Sequence, residues 1–170
     1  LVCWQHDRAT GRPLVERWAA RTRADLVVCN SAWTSESAAL LQPGVPTTVI
    51  HPPVAISPCP AGTRETLRRT LDTNPADIVI LSASRLERWK GHFNLVRALG
   101  RLQTTAAWTL WIAGAAQRPH EEQYLAHLRR EVTAFGLEPR VRFLGERRDV
   151  PCVMRAVDIF CQANEGPEPF

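Results

Sequence analysis

Ile78-Val79-Ile80-Leu81-Ser82-Ala83-Ser84-Arg85-Leu86-Glu87-Arg88-Trp89-Lys90-Gly91 is the stretch that decides the fold. Its first four residues are apolar without alternation, which is the pattern of a parallel strand covered on both faces. A helical pattern starts at Gly91, so the residues between form a loop at the carboxyl end of that strand. In open α/β sheets ligands collect at such ends. Arg85 and Lys90 stand five residues apart in the loop, where a guanidinium fork and an ammonium can together neutralise a diphosphate. The helix that follows adds free backbone N–H groups and the positive end of its dipole. On position alone, two solvated loop charges are the competing reading.

Working downstream, the pattern predicts strand 78–83, helix 91–102, strand 108–113, helix 121–135, strand 141–144, helix 149–156 and strand 157–161. Strands alternating with helices at this spacing imply right-handed crossovers and a parallel sheet, hence an α/β fold. Upstream, residues 1–5 read as a strand end and 12–23 as a helix with Leu14, Val15, Trp18 and Ala19 on one face. Residues 24–29 form a buried strand, Asn30-Ser31 a loop and cap, 34–41 a helix stopped by Pro43-Gly44, and 47–50 a short strand. Between Pro52 and Gly62 stand four prolines with no helical period, which marks a linker. A short basic helix over 63–71 follows. The organisation is therefore a first Rossmann-like part over 1–53, a linker and short helix over 54–76, and a second part over 77–170.

The chain has 170 residues, 45 % hydrophobic and 22 % charged, which is the composition of a globular protein able to bury a sizeable core. Its formal net charge of +4, with arginine far ahead of lysine, suits anionic small molecules or an anionic surface. No long basic run or aromatic-plus-basic stripe is present, so nucleic acid is not a predicted partner. The five cysteines, at 3, 29, 59, 152 and 161, are odd in number and contain no C-x-x-C pair, which argues against a disulfide framework or structural zinc. Cys29 and Cys161 sit in apolar runs and read as core thiols. A reducing cytoplasm is the simplest compartment for such a set. No stretch approaches the roughly 18 consecutive apolar residues of a membrane span. Both termini read as cut, the chain beginning without Met and ending inside a motif at Phe170, so an internal fragment is expected.

Four ordered motifs carry a resemblance: Ser84-Arg85-Leu86-x3-Lys90-Gly91, Trp111-Ile112-Ala113-Gly114, Val141-Arg142-Phe143-Leu144-Gly145 and Glu165-Gly166-Pro167-Glu168-Pro169-Phe170. Their order and rough spacing resemble the family 4 glycosyltransferases, which are retaining enzymes of GT-B architecture. The likeness implies two Rossmann-like parallel-sheet domains, both incomplete in this chain. It also implies transfer of a sugar from a nucleotide diphosphate donor to an acceptor, whether glycan, lipid or small molecule. No cofactor and no metal are implied. The parent would be cytoplasmic, with peripheral association at the cytoplasmic face of the inner membrane also compatible, and the piece alone would be inactive.

Carried over residue by residue, the resemblance assigns the donor diphosphate to Arg85 and Lys90. It gives His6, in Trp4-Gln5-His6-Asp7-Arg8, a place near the transferred sugar, where it would hydrogen-bond and not act as nucleophile. Glu168 matches the first glutamate of the family's E-x7-E motif and would contact the donor sugar, with the second glutamate falling past Phe170; Glu165 competes for the first position but fits the following Phe-Gly spacing less well. Glu146-Arg147-Arg148-Asp149 matches a loop that lines the nucleotide base, which makes Arg147 a weak base-side candidate. From the residues alone, His6 reads equally as a structural histidine, Glu168 as an exposed loop acid, and 146–149 as a solvated turn capped by Asp149. Trp108 and Trp111 read as core and not as stacking platforms. His51, His92, His120 and His127 have no metal-ligating spacing, and neither Ser31 nor Ser84 lies in a G-x-S-x-G elbow. A nucleotide-binding module without catalysis would share Arg85 and Lys90 without needing His6 or Glu168. A GT-B epimerase or phosphorylase is the nearer rival enzyme.

Overall fold

A computed structural model describes residues 1–54, 58–102 and 106–169. The chain divides into two compact units, Leu1–Ala55 with Pro167–Phe170, and Ile56–Gly166. The first carries a parallel sheet of order β1-β2-β3, from β1 (Val2–Gln5), β2 (Leu26–Cys29) and β3 (Thr47–Val49). Gln5 pairs with Cys29 and Cys29 with Val49. Its helices are short: α1 (Leu14–Ala19), α2 (Ala32–Ser35) and α3 (Ala38–Leu41).

The helix anticipated over 34–41 is broken at Ser37. The Ser37 hydroxyl is buried, donates to the Thr34 carbonyl, and accepts from the Gln5 amide at 2.9 Å and the Ala9 N–H at 2.8 Å. A serine that satisfies the backbone through its side chain competes with helical bonding, and here it joins two helix turns to the β1 strand. The anticipated apolar face of α1 also differs from the structure. Leu14, Val15 and Trp18 are 79 %, 75 % and 71 % exposed, and no residue of α1 is buried. The core of this unit is small, built from Ala24, Val27, Cys29, Ala38 and Val45.

The second unit holds a four-stranded parallel sheet of order β6-β5-β4-β7, from β4 (Ile78–Ala83), β5 (Trp108–Ala113), β6 (Val141–Gly145) and β7 (Ile159–Phe160). Both faces are covered, which is why β4 and β5 read as unbroken apolar runs. On one face α5 (His92–Gly100) and α6 (Pro119–Ala134) pack Leu95, Val96, Leu99, Leu128 and Val132 against Ile80, Leu110 and Ile112. On the other, α4 (Thr63–Thr70) and α7 (Val150–Ala156) cover Val79, Leu81, Trp111 and Ala113. Trp108 and Trp111 are both buried, and the Trp111 indole N–H donates to Thr73 Oγ1 at 3.0 Å. The chain leaves β4 towards β5 and β6 and returns to the other side of β4 through α7 and β7. That reversal makes the carboxyl end of β4 a topological switch point.

The cysteines require a correction. Cys59, in the segment before α4, forms a disulfide with Cys152 in the first turn of α7, while Cys3, Cys29 and Cys161 are free. Spacing along the chain does not reveal the pair, because its members are 93 positions apart and only the packing of α4 beside α7 brings them together. The argument for a reducing compartment from the cysteine pattern therefore loses its basis. Among the described residues no helix is long and apolar enough to cross a membrane.

Candidate functional site

The carboxyl ends of β4, β5 and β6 enclose a cavity of about 230 Å³ lined by Ser84, Arg85, Gly114, Gln117, Glu146 and Arg147 among others. Two close approaches shape this end of the sheet. Gly114 follows β5, donates its N–H to the Gly145 carbonyl at 2.8 Å, and lies so near the Ser84 carbonyl that a Cβ would come within 2.2 Å of it. Gly91 caps α5 with φ +72°, and a Cβ there would stand 1.7 Å from the Ala163 carbonyl oxygen. Only glycine satisfies both the left-handed backbone and the contact. The segment after β7 can thus lie directly against the start of α5.

Arg85 lines the cavity at the end of β4 and forms an ion pair with Glu87, its Nη1 2.9 Å from Oε1. Lys90 ends a single turn of 3₁₀ helix, Arg88–Lys90, and carries its Nζ 3.8 Å from the centre of the Trp89 ring. Arg147 reaches the same cavity from the loop after β6. Its guanidinium is held by Asp149 through two bonds, Nε at 2.8 Å and Nη2 at 2.6 Å, and this pairing holds the Asp149 carboxyl below its ordinary range. Asp149 precedes α7 as anticipated, but its side chain serves Arg147 and makes no capping bond. The structure therefore brings Arg85 and Arg147 to one cavity and places Lys90 on the Arg85 loop.

Under this loop lies His92, almost wholly buried. Its Nε2 is 3.1 Å from Ser84 Oγ and its Nδ1 3.2 Å from the Tyr124 hydroxyl. Burial first, and then the nearby Lys90 charge, lower its pKa to about 4, so the ring is neutral near pH 7. Burial likewise raises Tyr124 to about 12. A fixed neutral chain Tyr124–His92–Ser84 thus ties the start of the loop to α6. The sequence reading weighed His92 only as a metal ligand. The available signal was its register, since positions 92, 95, 96 and 99 form the buried face of α5.

In the first unit His6 follows β1, exposed, with its ring stacked on Trp4 at 5.3 Å and 5° and its carbonyl accepting from the Asn30 amide at 3.0 Å. Glu168 is half-buried, and the carbonyl of its neighbour Pro169 accepts from Ser31 Oγ at 2.5 Å. Glu165 lies in the second unit, where its N–H donates to the Trp89 carbonyl at 2.7 Å and its carboxylate accepts from Asn94 at 3.1 Å. Glu87, Trp89, Gly114 and Asp149 contribute to the cavity or its loops without having been singled out as site residues in the sequence.

The chain is similar to Anabaena Alr3699/HepE, whose crystal structures are in complex with UDP and glucose (30 % identity, TM-score 0.84) and with UDP-glucose (32 %, TM-score 0.81). Each match covers 100 % of this chain and 48 % of the other. A glycosyltransferase from Rickettsia africae shares the fold at 19 % identity and TM-score 0.79, covering 98 % of this chain and 46 % of its own. The chain thus spans about half the length of these structures. Comparison with curated proteins finds no match. The α/β fold with parallel sheets is that of the GT-B glycosyltransferases. A family profile described as "Glycosyl transferases group 1" matches residues 63–170, which contain the sheet, the cavity and the Arg85 loop, and the chain belongs to that family.

Proposed function

We propose that this chain carries the donor-side machinery of a retaining family 4 glycosyltransferase that moves a sugar from a nucleoside diphosphate to an acceptor. The observation that carries this reading is Arg85 at the carboxyl end of β4, lining a cavity with Arg147 and followed on its own loop by Lys90. UDP in the Anabaena structures supports a UDP-sugar as the donor class. Arg85 and Lys90 would meet the diphosphate and stabilise the negative charge that grows on it as the glycosidic bond to the sugar breaks. Interactions that strengthen as charge develops lower the barrier, and removal of one such donor in other enzymes costs roughly 2.7–4 kcal/mol. In this reading the neutralising charge comes from side chains and not from a metal. Arg147 lies on the nucleotide side, and His6 and Glu168 keep the sugar-contacting roles that the family resemblance gives them.

Titration calorimetry of UDP binding tests the assignment. Each of Arg85→Ala and Lys90→Ala removes a charge-assisted hydrogen bond of about 1.5–3 kcal/mol, and Arg88→Ala much less. Kd should therefore rise by about tenfold or more in the first two variants. Unchanged affinity in both would place the diphosphate elsewhere.

A further inference from the structure

We propose that Glu87 and Trp89 form a brace that sets both cations of the diphosphate site before the ligand arrives. The proposal rests on the assignment of Arg85 and Lys90 above and adds two positioning residues to it. Glu87 is the hub. Its side chain is 18 % exposed against 62 % for Arg85, so the acid is the anchored member of that pair. One carboxylate oxygen lies 2.9 Å from Arg85 Nη1 in an ion pair, and the other accepts from the Trp89 indole N–H at 2.7 Å. The Trp89 ring in turn carries Lys90 Nζ, 3.8 Å from its centre. One carboxylate therefore orients Arg85 directly and Lys90 through an indole.

The backbone holds the hub still. Glu87 N–H donates to the Arg85 carbonyl at 2.9 Å and Lys90 N–H to the Glu87 carbonyl at 3.0 Å, so the loop is closed on itself at both ends. The Trp89 carbonyl is fixed from outside by the Glu165 N–H at 2.7 Å. Long cationic side chains lose rotamer freedom when they grip a ligand, and a site that has already restricted them binds more tightly for the same contacts. The Glu87 charge also opposes an incoming anion, so the brace and the repulsion predict opposite outcomes when the carboxylate is removed. The ion pair and the indole bond at Glu87, with the ring contact at Lys90, favour the brace, because they link the two cations in one continuous chain, Arg85–Glu87–Trp89–Lys90.

The experiment is UDP titration of the full-length protein, with unfolding temperature recorded for each variant. Glu87→Ala should weaken UDP by about tenfold. Trp89→Leu should weaken it by about fivefold, whereas Trp89→Phe, which keeps a ring face beneath Lys90 and loses only the indole N–H, should recover part of that loss. Glu87→Gln keeps an acceptor for Trp89 and should fall between wild type and Glu87→Ala. If Glu87→Ala unfolds, the Gln and Phe variants carry the comparison. Equal or tighter binding after loss of the carboxylate overturns the brace, and so does equal affinity of the Leu and Phe variants. Arg85→Ala and Lys90→Ala, measured alongside, separate the two readings: if both leave UDP affinity unchanged, the diphosphate assignment itself fails. If either weakens binding while the Glu87 and Trp89 variants do not, the brace alone fails.

Discussion

Replacing Asp158 by asparagine tests how the second unit holds its sheet together. Asp158 lies between α7 and β7, and its carboxylate gathers three donors: the Val79 N–H at 2.7 Å, Arg64 at 2.5 Å and Arg68 at 2.6 Å. Arg68 is only 4 % exposed and gives its other N–H groups to the carbonyls of Ala156, Pro75 and Asp77. One acid therefore pins α4 to the start of β4 and the end of α7. Burial is the largest single influence on its pKa and raises it; the bonds from Val79, Arg64 and Arg68 together outweigh burial and lower it from 3.8 to about 2. A lowering of that size, at about 1.36 kcal/mol per pKa unit, corresponds to about 2–3 kcal/mol. With 32 % of Asp158 and 40 % of Arg64 in water, screening reduces this. A loss of about 2 kcal/mol is the working figure, or a fall in Tm of about 4–8 °C for a chain of this size. The folded pKa lies below the unfolded one, so the contribution is complete above about pH 4 and disappears as pH falls towards 2. Urea unfolding of wild type and Asp158→Asn, followed by circular dichroism from pH 7 to pH 2, should show a gap that closes over that window. A gap below about 0.5 kcal/mol at pH 7, the range of ordinary surface changes, would refute the reasoning, as would a full gap persisting at pH 2.

Three further outcomes follow from particular residues. The Cys59–Cys152 disulfide spans 93 positions, and closing a loop of that order stabilises by about 2–4 kcal/mol in practice, so a Cys59→Ser/Cys152→Ser variant should melt well below the oxidised wild type; coincident melts with and without dithiothreitol would show that the bond contributes nothing. Gly91→Ala should cost about 1–2 kcal/mol from its φ of +72° alone and more from the contact with the Ala163 carbonyl, and wild-type stability in that variant would contradict the close approach. His6→Ala in the full-length protein should lower sugar-transfer turnover while leaving UDP affinity nearly unchanged; normal turnover would return His6 to a structural role stacked on Trp4.

What could be read from the sequence follows from what each signal depends on. The strand anticipated over 78–83 is Ile78–Ala83, and that over 108–113 is Trp108–Ala113. Both are central strands whose apolar runs are dictated by burial on two faces, so the pattern is local and strong. The strand anticipated over 157–161 shrinks to Ile159–Phe160, and both of its residues are exposed. An edge strand with one neighbour has less burial to impress on its residues. The helix over 34–41 was lost to a serine whose hydroxyl answers to Gln5 and Ala9, partners that no window around Ser37 contains. The disulfide failed for the same reason at longer range. At the candidate site, Arg85 and Lys90 could be singled out because they fall in the loop at a strand's carboxyl end, a local pattern that a solvated turn would share. Glu87 was not, because an acid among arginines reads as a solvated turn until its two oxygens are seen to have different partners.

The pairing pattern also ranks the arginines of the cavity. Arg85 and Arg147 each have a carboxylate two residues further along the same loop, Glu87 and Asp149, so neither is a bare cation waiting for an anion. The two pairs differ in which edge of the guanidinium they use. Asp149 takes Nε and Nη2 of Arg147 and thereby occupies the fork that best matches a phosphate. Glu87 meets Arg85 as an ion pair at Nη1 and not as paired fork bonds, and the Arg85 side chain is 62 % exposed against 26 % for Arg147. On the proposed reading, a diphosphate could engage Arg85 without dismantling its pair, whereas Arg147 would first have to release the two bonds it makes to Asp149. On the proposed assignment Arg85 is thus the better placed of the two to meet the diphosphate, with Arg147 held in the cavity wall beside it.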